Sequence, residues 1–209
     1  MNTNKNSYII IYSAILVVVV AFLLAFVYSA LKPQQDINVA LDKKKQILAS
    51  LNIRDLSDAD AAAKYTEVVE CDEIIDTNAT VINKGEKGGE NAGFKLNSAD
   101  LKEGKLAVYV CNVDGEKKYV IPVYGMGLWG SIWGYIALDA DKNTIYGAYF
   151  DHQGETAGLG AEIKDSKAWQ DLFKGKKIFS ADGAAVAIAV KKASDVKNPA
   201  SEVDAVTGA

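Results

Sequence analysis

The 209-residue chain is 49% hydrophobic and carries a formal net charge of −4, a size that suits one medium domain or a domain plus a membrane anchor. Every basic residue except Lys5 lies beyond residue 31 together with every acidic one, and the net acidity of that larger part argues against nucleic acid as a partner. Two cysteines, Cys71 and Cys111, allow at most one internal disulfide; without C-x-x-C spacing they read as unpaired structural residues rather than ligands of an iron–sulfur or zinc centre.

Residues 8–31 hold no charge and include the run Ile15-Leu16-Val17-Val18-Val19-Val20. At about 1.5 Å per residue this stretch makes a helix roughly 36 Å long, enough to cross a ~30 Å hydrocarbon core with some tilt. A secretory signal is the rival reading, with Val27-Tyr28-Ser29 as a passable cleavage site. Its apolar region normally spans about 7–15 residues, so an uncleaved anchor behind a short 1–7 tail is expected. Charge counting leaves the orientation open. Lys5 precedes the segment, whereas Lys32 and Lys43-Lys44-Lys45 follow it, and long domains translocate largely regardless of such charges.

Residues 36–51 read as a helix leaving the membrane, with Ile37, Leu41, Leu48 and Leu51 on one face. A second helix is expected over 58–75, opened by Asp58 as N-cap. The glycine-rich polar stretch 84–93 reads as a loop. Beyond it the apolar period changes to two. Strands are expected at 106–113 and 119–124 around the turn Asp114-Gly115-Glu116, and at 132–138 and 144–150 around a second polar turn. A short helix at 166–173 and a buried strand at 184–190 complete the chain. Strands joined by short turns, with helices mainly at one end, predict an α+β domain with a largely antiparallel sheet.

Three segments could carry chemistry. Residues 125–135 interleave four glycines with Trp129, Trp133 and Tyr135, letting backbone approach a flat ring that indoles wall. On spacing alone the plainer reading, a glycine-rich strand start with core aromatics, stands first. Residues 152–162 follow a strand and offer Glu155, Thr156 and backbone amides around Gly154, Gly158 and Gly160, suited to the polar edge of a ring such as isoalloxazine. They match neither G-x-G-x-x-G nor a phosphate-binding G-K-[ST] loop. His152 is the chain's only histidine and reads as a solvated strand-end residue, not a catalyst. Finally, Asp204-Ala205-Val206-Thr207-Gly208-Ala209 resembles the flavin attachment motif D-x-x-[ST]-G-A-T up to its last threonine; alone, the plainer reading, a frayed tail, stands first.

In order, the Gly-Leu-Trp and Trp-Gly-Tyr elements, the GETAGLGAE loop, the stretch from Trp169 to Lys177 and the terminal D-x-x-T-G-A resemble the C subunit of the sodium-translocating NADH:quinone reductases over nearly the whole chain. A looser resemblance extends to the G subunit of Rnf-type ferredoxin:NAD oxidoreductases. The resemblance implies an FMN-binding domain over 32–209 on the periplasmic side of the bacterial cytoplasmic membrane, with a cytoplasmic N-terminus. It implies that Glu155, Thr156, Gly158, Leu159 and Gly160 line the flavin pocket, that Leu128 and Trp129 pack on the ring, and that Asp204, Thr207, Gly208 and Ala209 form the attachment motif. The FMN would be held as a phosphoester to a threonine expected directly after Ala209. Ala157 stands where the family loop usually has proline. No catalytic acid–base group and no metal ligand is implied; the role would be relay of single electrons toward quinone. Implied partners are other membrane subunits, a flavin transferase and membrane lipid. A cofactor-free, membrane-anchored assembly protein of the pilin kind remains as a different class, although the sequence around 7–11 has neither the glycine nor the glutamate expected of one.

Overall fold

The computed structural model describes residues 5–180, 183–185 and 188–208. Two units divide the chain, Met1–Asp42 and Lys43–Ala209. Helix α1 (Asn6–Ser50) contributes to both and runs through Pro33, so the expected helices at 8–31 and 36–51 are one continuous helix. In the first unit its apolar side chains, Ile9 to Leu31, are exposed. They make α1 long and apolar enough to cross a membrane.

In the second unit the last turns of α1 are core. Ile47, Leu48 and Leu51 are buried, and the chain leaves them through Asn52 at φ 62°. Helix α2 (Asp58–Val68) follows. Its N-cap is Ser57, whose hydroxyl accepts from the Asp60 N–H at 3.2 Å, rather than Asp58 as expected. The expected helix also ends seven residues early, because 69–75 form strand β1 (Val69–Ile75). Val68, Val69, Ile74 and Ile75 are β-branched, and β1 pairs with strand β3 (Leu106–Val113) from Ile75↔Leu106 to Val69↔Cys111. A ladder of that length outweighs a weak local helix preference.

Strand β2 (Val81–Lys84), short helix α3 (Ser98–Lys102), and strands β4 (Glu116–Met126), β5 (Ser131–Leu138) and β6 (Ile145–His152) complete the main sheet. Its order is β2-β1-β3-β4-β5-β6, every pairing antiparallel. Register sorts the faces. Tyr109, Val120 and Ala137 stand side by side on the face covered by α2 and the end of α1, where Tyr65 and Tyr109 are fully buried. The backbone of Ser50 lies so close to β6 that a Cβ at Gly147 would overlap the Ser50 carbonyl oxygen.

Ile121, Ile136 and Ala148 stand side by side on the other face. There the core of Leu138, Ile145, Ala148, Phe173 and Val203 is closed by the C-terminal segment. That segment holds α4 (Glu162–Asp165), α5 (Lys167–Gln170), a 3-10 turn (Asp171–Phe173), and the parallel pair β7 (Ala189–Lys191) and β8 (Glu202–Asp204). The expected buried strand at 184–190 is not found. Residues 186–187 lie outside the described set, Ala185 bridges Phe179, and Val190 in β7 is exposed; among the described residues β7 pairs with β8 alone.

Several polar groups are pinned inside this frame. The Asp72 carboxylate is fully buried and accepts from the N–H groups of Ala92 (2.7 Å) and Phe94 (2.8 Å), tying the 84–93 loop to the sheet. Lys43 donates to the Phe94 carbonyl (2.6 Å) and sits 4.4 Å from the Phe94 ring centroid; burial lowers its pKa to about 8 against the pull of Asp72. The Lys118 ammonium lies between Glu116 (2.7 Å) and Asp139 (2.6 Å) and 4.3 Å from the Tyr146 ring centroid. Cys71 and Cys111 are both free and buried. Their direct partners are Val110 and Val69 respectively. Because Val110 and Cys111 point to opposite faces and cross-strand partners share one, the two thiols lie on opposite faces.

Candidate functional site

At one end of the sheet, the β4–β5 turn, the loop after β6 and the C-terminal segment meet. The turn is closed by the Gly127 N–H on the Gly130 carbonyl (2.8 Å) and presents Leu128 and Trp129, which are 66% and 68% exposed. The two large apolar residues thus stand side by side at one exposed tip.

Beneath them Glu155 is only 7% exposed. Its Oε1 accepts the Trp129 N–H at 3.0 Å, while Oε2 is buried and has no hydrogen-bond partner among the described residues. Two glycines make room for this carboxylate: a Cβ at Gly127 would overlap Oε1, and one at Gly160 would come within 2.7 Å of Oε2 and overlap the Gly208 carbonyl oxygen. The Glu155 N–H in turn donates to Nδ1 of His152 at 3.1 Å, so the lone histidine is a backbone anchor for this loop. Thr156 sets the next turn, its carbonyl accepting from the N–H groups of Leu159 and Ala161, both at 3.1 Å. Gly158 takes φ +71° at the bend, and Leu159 is 46% exposed.

The terminal segment is ordered here rather than frayed. β8 pairs with β7, and Glu202 accepts from the Lys191 ammonium and from the N–H groups of Lys197 (2.5 Å) and Asn198 (2.8 Å). Those bonds, that of Lys191 foremost, hold the Glu202 carboxyl down at about 2. The Asp204 carbonyl accepts the Trp169 indole N–H at 2.7 Å. Thr207 is exposed, and Gly208 (φ +83°) lies against Leu159 and Gly160. Ala209 lies outside the described residues.

The three segments singled out in the sequence therefore converge, although not every residue in them takes part. Trp133 turns away, its indole N–H donating to Oε1 of Gln46 (3.2 Å), and Tyr135 meets Tyr109 edge-on in the core. Of the aromatics in 125–135, Trp129 is the one at the Glu155 site. Sequence reasoning missed the anchoring by His152 and the Trp169–Asp204 bond. The position of His152, three residues before Glu155, was a usable signal for the first; nothing local signals the second, a pairing across 35 residues. No group of three or more His, Cys, Asp or Glu side chains among the described residues could hold a metal ion.

The geometry suits a flat, partly apolar ring carrying a hydrogen-bond donor: an apolar platform at Leu128 and Trp129, an unmet buried acceptor at Glu155, and backbone approach at Gly127 and Gly160. Comparison with known proteins points the same way. Residues 127–209 match the FMN-binding domain family. The chain is 33% identical over 193 residues to the C subunit of the Na(+)-translocating NADH-quinone reductase of Haemophilus ducreyi, covering 86% of this chain and 74% of that one. It is 30% identical over 192 residues to the same protein of Vibrio anguillarum, with the same coverage. The crystal structure of the corresponding C subunit from Parabacteroides distasonis superposes with a TM-score of 0.76 at 39% identity, covering 85% of each chain. The chain belongs to the family formed by the C subunits of Na(+)-translocating NADH-quinone reductases.

Proposed function

We propose that this chain is the membrane-anchored flavoprotein subunit of a sodium-pumping NADH:quinone oxidoreductase and relays single electrons toward quinone. The observation that carries the reading is the buried, unpartnered Oε2 of Glu155 under an exposed Trp129, at the point where the terminal motif meets the loop. Bound FMN supplies reversible one-electron redox chemistry. Leu128 and Trp129 pack against one face of the ring and exclude water from it. Glu155, Thr156, Gly158, Leu159 and Gly160 line its polar edge, with Oε2 accepting the donor it lacks among the described residues. Asp204, Thr207, Gly208 and Ala209 form the motif that a flavin transferase reads, and the phosphoester joins FMN to a threonine directly after Ala209. The tail 1–7 is cytoplasmic, residues 8–31 cross the lipid bilayer, and 32–209 form a periplasmic domain beside other membrane subunits. A long apolar α1 leading into a compact unit supports the membrane anchor in this arrangement.

Flavin fluorescence in a denaturing gel of the full-length protein from its native host tests the reading. Fluorescence that survives denaturation is expected and reports covalent FMN. A colourless, non-fluorescent protein overturns it in favour of a cofactor-free assembly protein.

A further inference from the structure

Asp151, next to last in β6, is 4% exposed and points toward the end of α1 rather than toward Trp129. Its Oδ1 accepts the His152 N–H (2.8 Å) and the Lys164 ammonium (2.9 Å). Its Oδ2 accepts Nε2 of Gln46 (3.2 Å) and the Tyr149 hydroxyl (3.5 Å). Gln46, in the last turns of α1, has its amide orientation set by the Trp133 indole N–H on Oε1 (3.2 Å).

One carboxylate thus touches both ends of the loop that carries Glu155. His152 opens that loop and Lys164, in α4, closes it. A second brace fixes the same helix: Nη2 of Arg54 donates to Oε1 of Gln170 (2.7 Å), whose Nε2 donates to the carbonyls of Ile163 (2.9 Å) and Lys164 (3.1 Å). Opening the loop would strip Lys164 from Asp151 and leave a buried charge without its counter-ion, a costly state that favours the closed form.

We propose that Asp151 is a positioning residue of the flavin site: with Lys164 it clasps the loop 153–163, and through Gln46 it ties that clasp to the last turns of α1. The proposal rests on the FMN reading for its functional consequence and on geometry alone for the clasp.

Lys164→Met, Lys164→Arg and Asp151→Asn in the full-length protein test it. The Lys164 side chain is 44% exposed, so its replacement leaves the fold in place even if Asp151→Asn does not fold. Two readouts are taken: amide hydrogen exchange across 153–163, which needs no flavin, and the visible circular dichroism and midpoint potential of the FMN-loaded protein. Lys164→Met is expected to raise exchange across 153–163 by about tenfold relative to β3 and β4, to change the flavin signal, and to be rescued on both counts by Lys164→Arg. Unchanged exchange in Lys164→Met overturns the clasp. Raised exchange with an unchanged dichroism and potential overturns the positioning role and leaves the FMN reading intact. A wild-type protein without flavin overturns that reading instead, while the exchange result still judges the clasp.

Discussion

The Trp169 indole N–H donates to the Asp204 carbonyl oxygen over 2.7 Å, so a ring packed against Phe150 and Phe173 holds the strand that leads into the terminal motif. Trp169→Phe keeps an aromatic ring in that cluster and removes only the donor and part of the ring area. One hydrogen bond contributes about 1 kcal/mol net, so a small fall in Tm is expected. The larger effect is expected in a gel-fluorescence time course, where covalent FMN accumulates several-fold more slowly because residues 204–208 are held less firmly. An unchanged time course would show that the segment is placed without the indole.

Gly160 and Gly158 separate crowding from backbone strain. A Cβ at Gly160 meets the Gly208 carbonyl and Oε2 of Glu155, whereas at Gly158 it meets nothing within 4 Å but requires a non-glycine residue at φ +71°. Gly160→Ala should cost about 1–3 kcal/mol by overpacking, and Gly158→Ala about 1–2 kcal/mol by strain. Thermal unfolding is expected to register both, while flavin incorporation falls further in Gly160→Ala, where the added Cβ meets the Glu155 carboxylate and the Gly208 carbonyl.

The Lys118 site predicts an asymmetry. The lysine side chain is 4% exposed, Glu116 74% and Asp139 32%, so the group that needs its partners is the ammonium. Glu116→Gln combined with Asp139→Asn leaves a buried cation unpaired and should destabilise by about 3 kcal/mol. Lys118→Met fills the same space and frees two carboxylates that water reaches, so its cost should be clearly smaller. Urea unfolding of the two variants decides; equal costs would mean that the packed methylenes, not the charge, dominate.

Lys43 gives a pH signature. Burial lowers it from the usual 10.5 to about 8, so the folded state holds this proton less tightly than the unfolded chain. The resulting cost is fully present below pH 8 and is relieved as pH rises from 8 to 10.5. Tyr65, raised by burial, acts in the opposite sense above its usual value of 10.0. Urea midpoints of wild type and Lys43→Met, taken across that window, isolate the lysine. The wild type is expected to gain on the variant as pH rises, and a constant difference would refute the assignment.

Hairpins were the most legible part of the sequence. β3, β4, β5 and β6 follow from alternating apolar residues around polar turns, a pairing written within some 20 residues. Residues 69–75 were not legible, because Val69 and Ile75 choose between helix and strand according to β3, more than 30 residues away. β2 is exposed at every position and β8 has three residues, so neither carries an apolar pattern to find. At the site, residue types were readable but orientation was not: Trp129 and Trp133 look alike in a glycine-rich run, and only the Glu155 bond to the Trp129 backbone and the reach of Trp133 to Gln46 separate them.

The unmet oxygen of Glu155 also bears on discrimination among related molecules. A planar guest that brings no N–H or O–H to Oε2 would seal a carboxylate oxygen away from water with nothing to bond it, and sites built this way reject such analogues by factors of about 10⁴–10⁵ where a shape-matched apolar pocket achieves about 10². On the site proposed above, selectivity would lie less in attraction to the right ring than in the penalty Glu155 imposes on the wrong one.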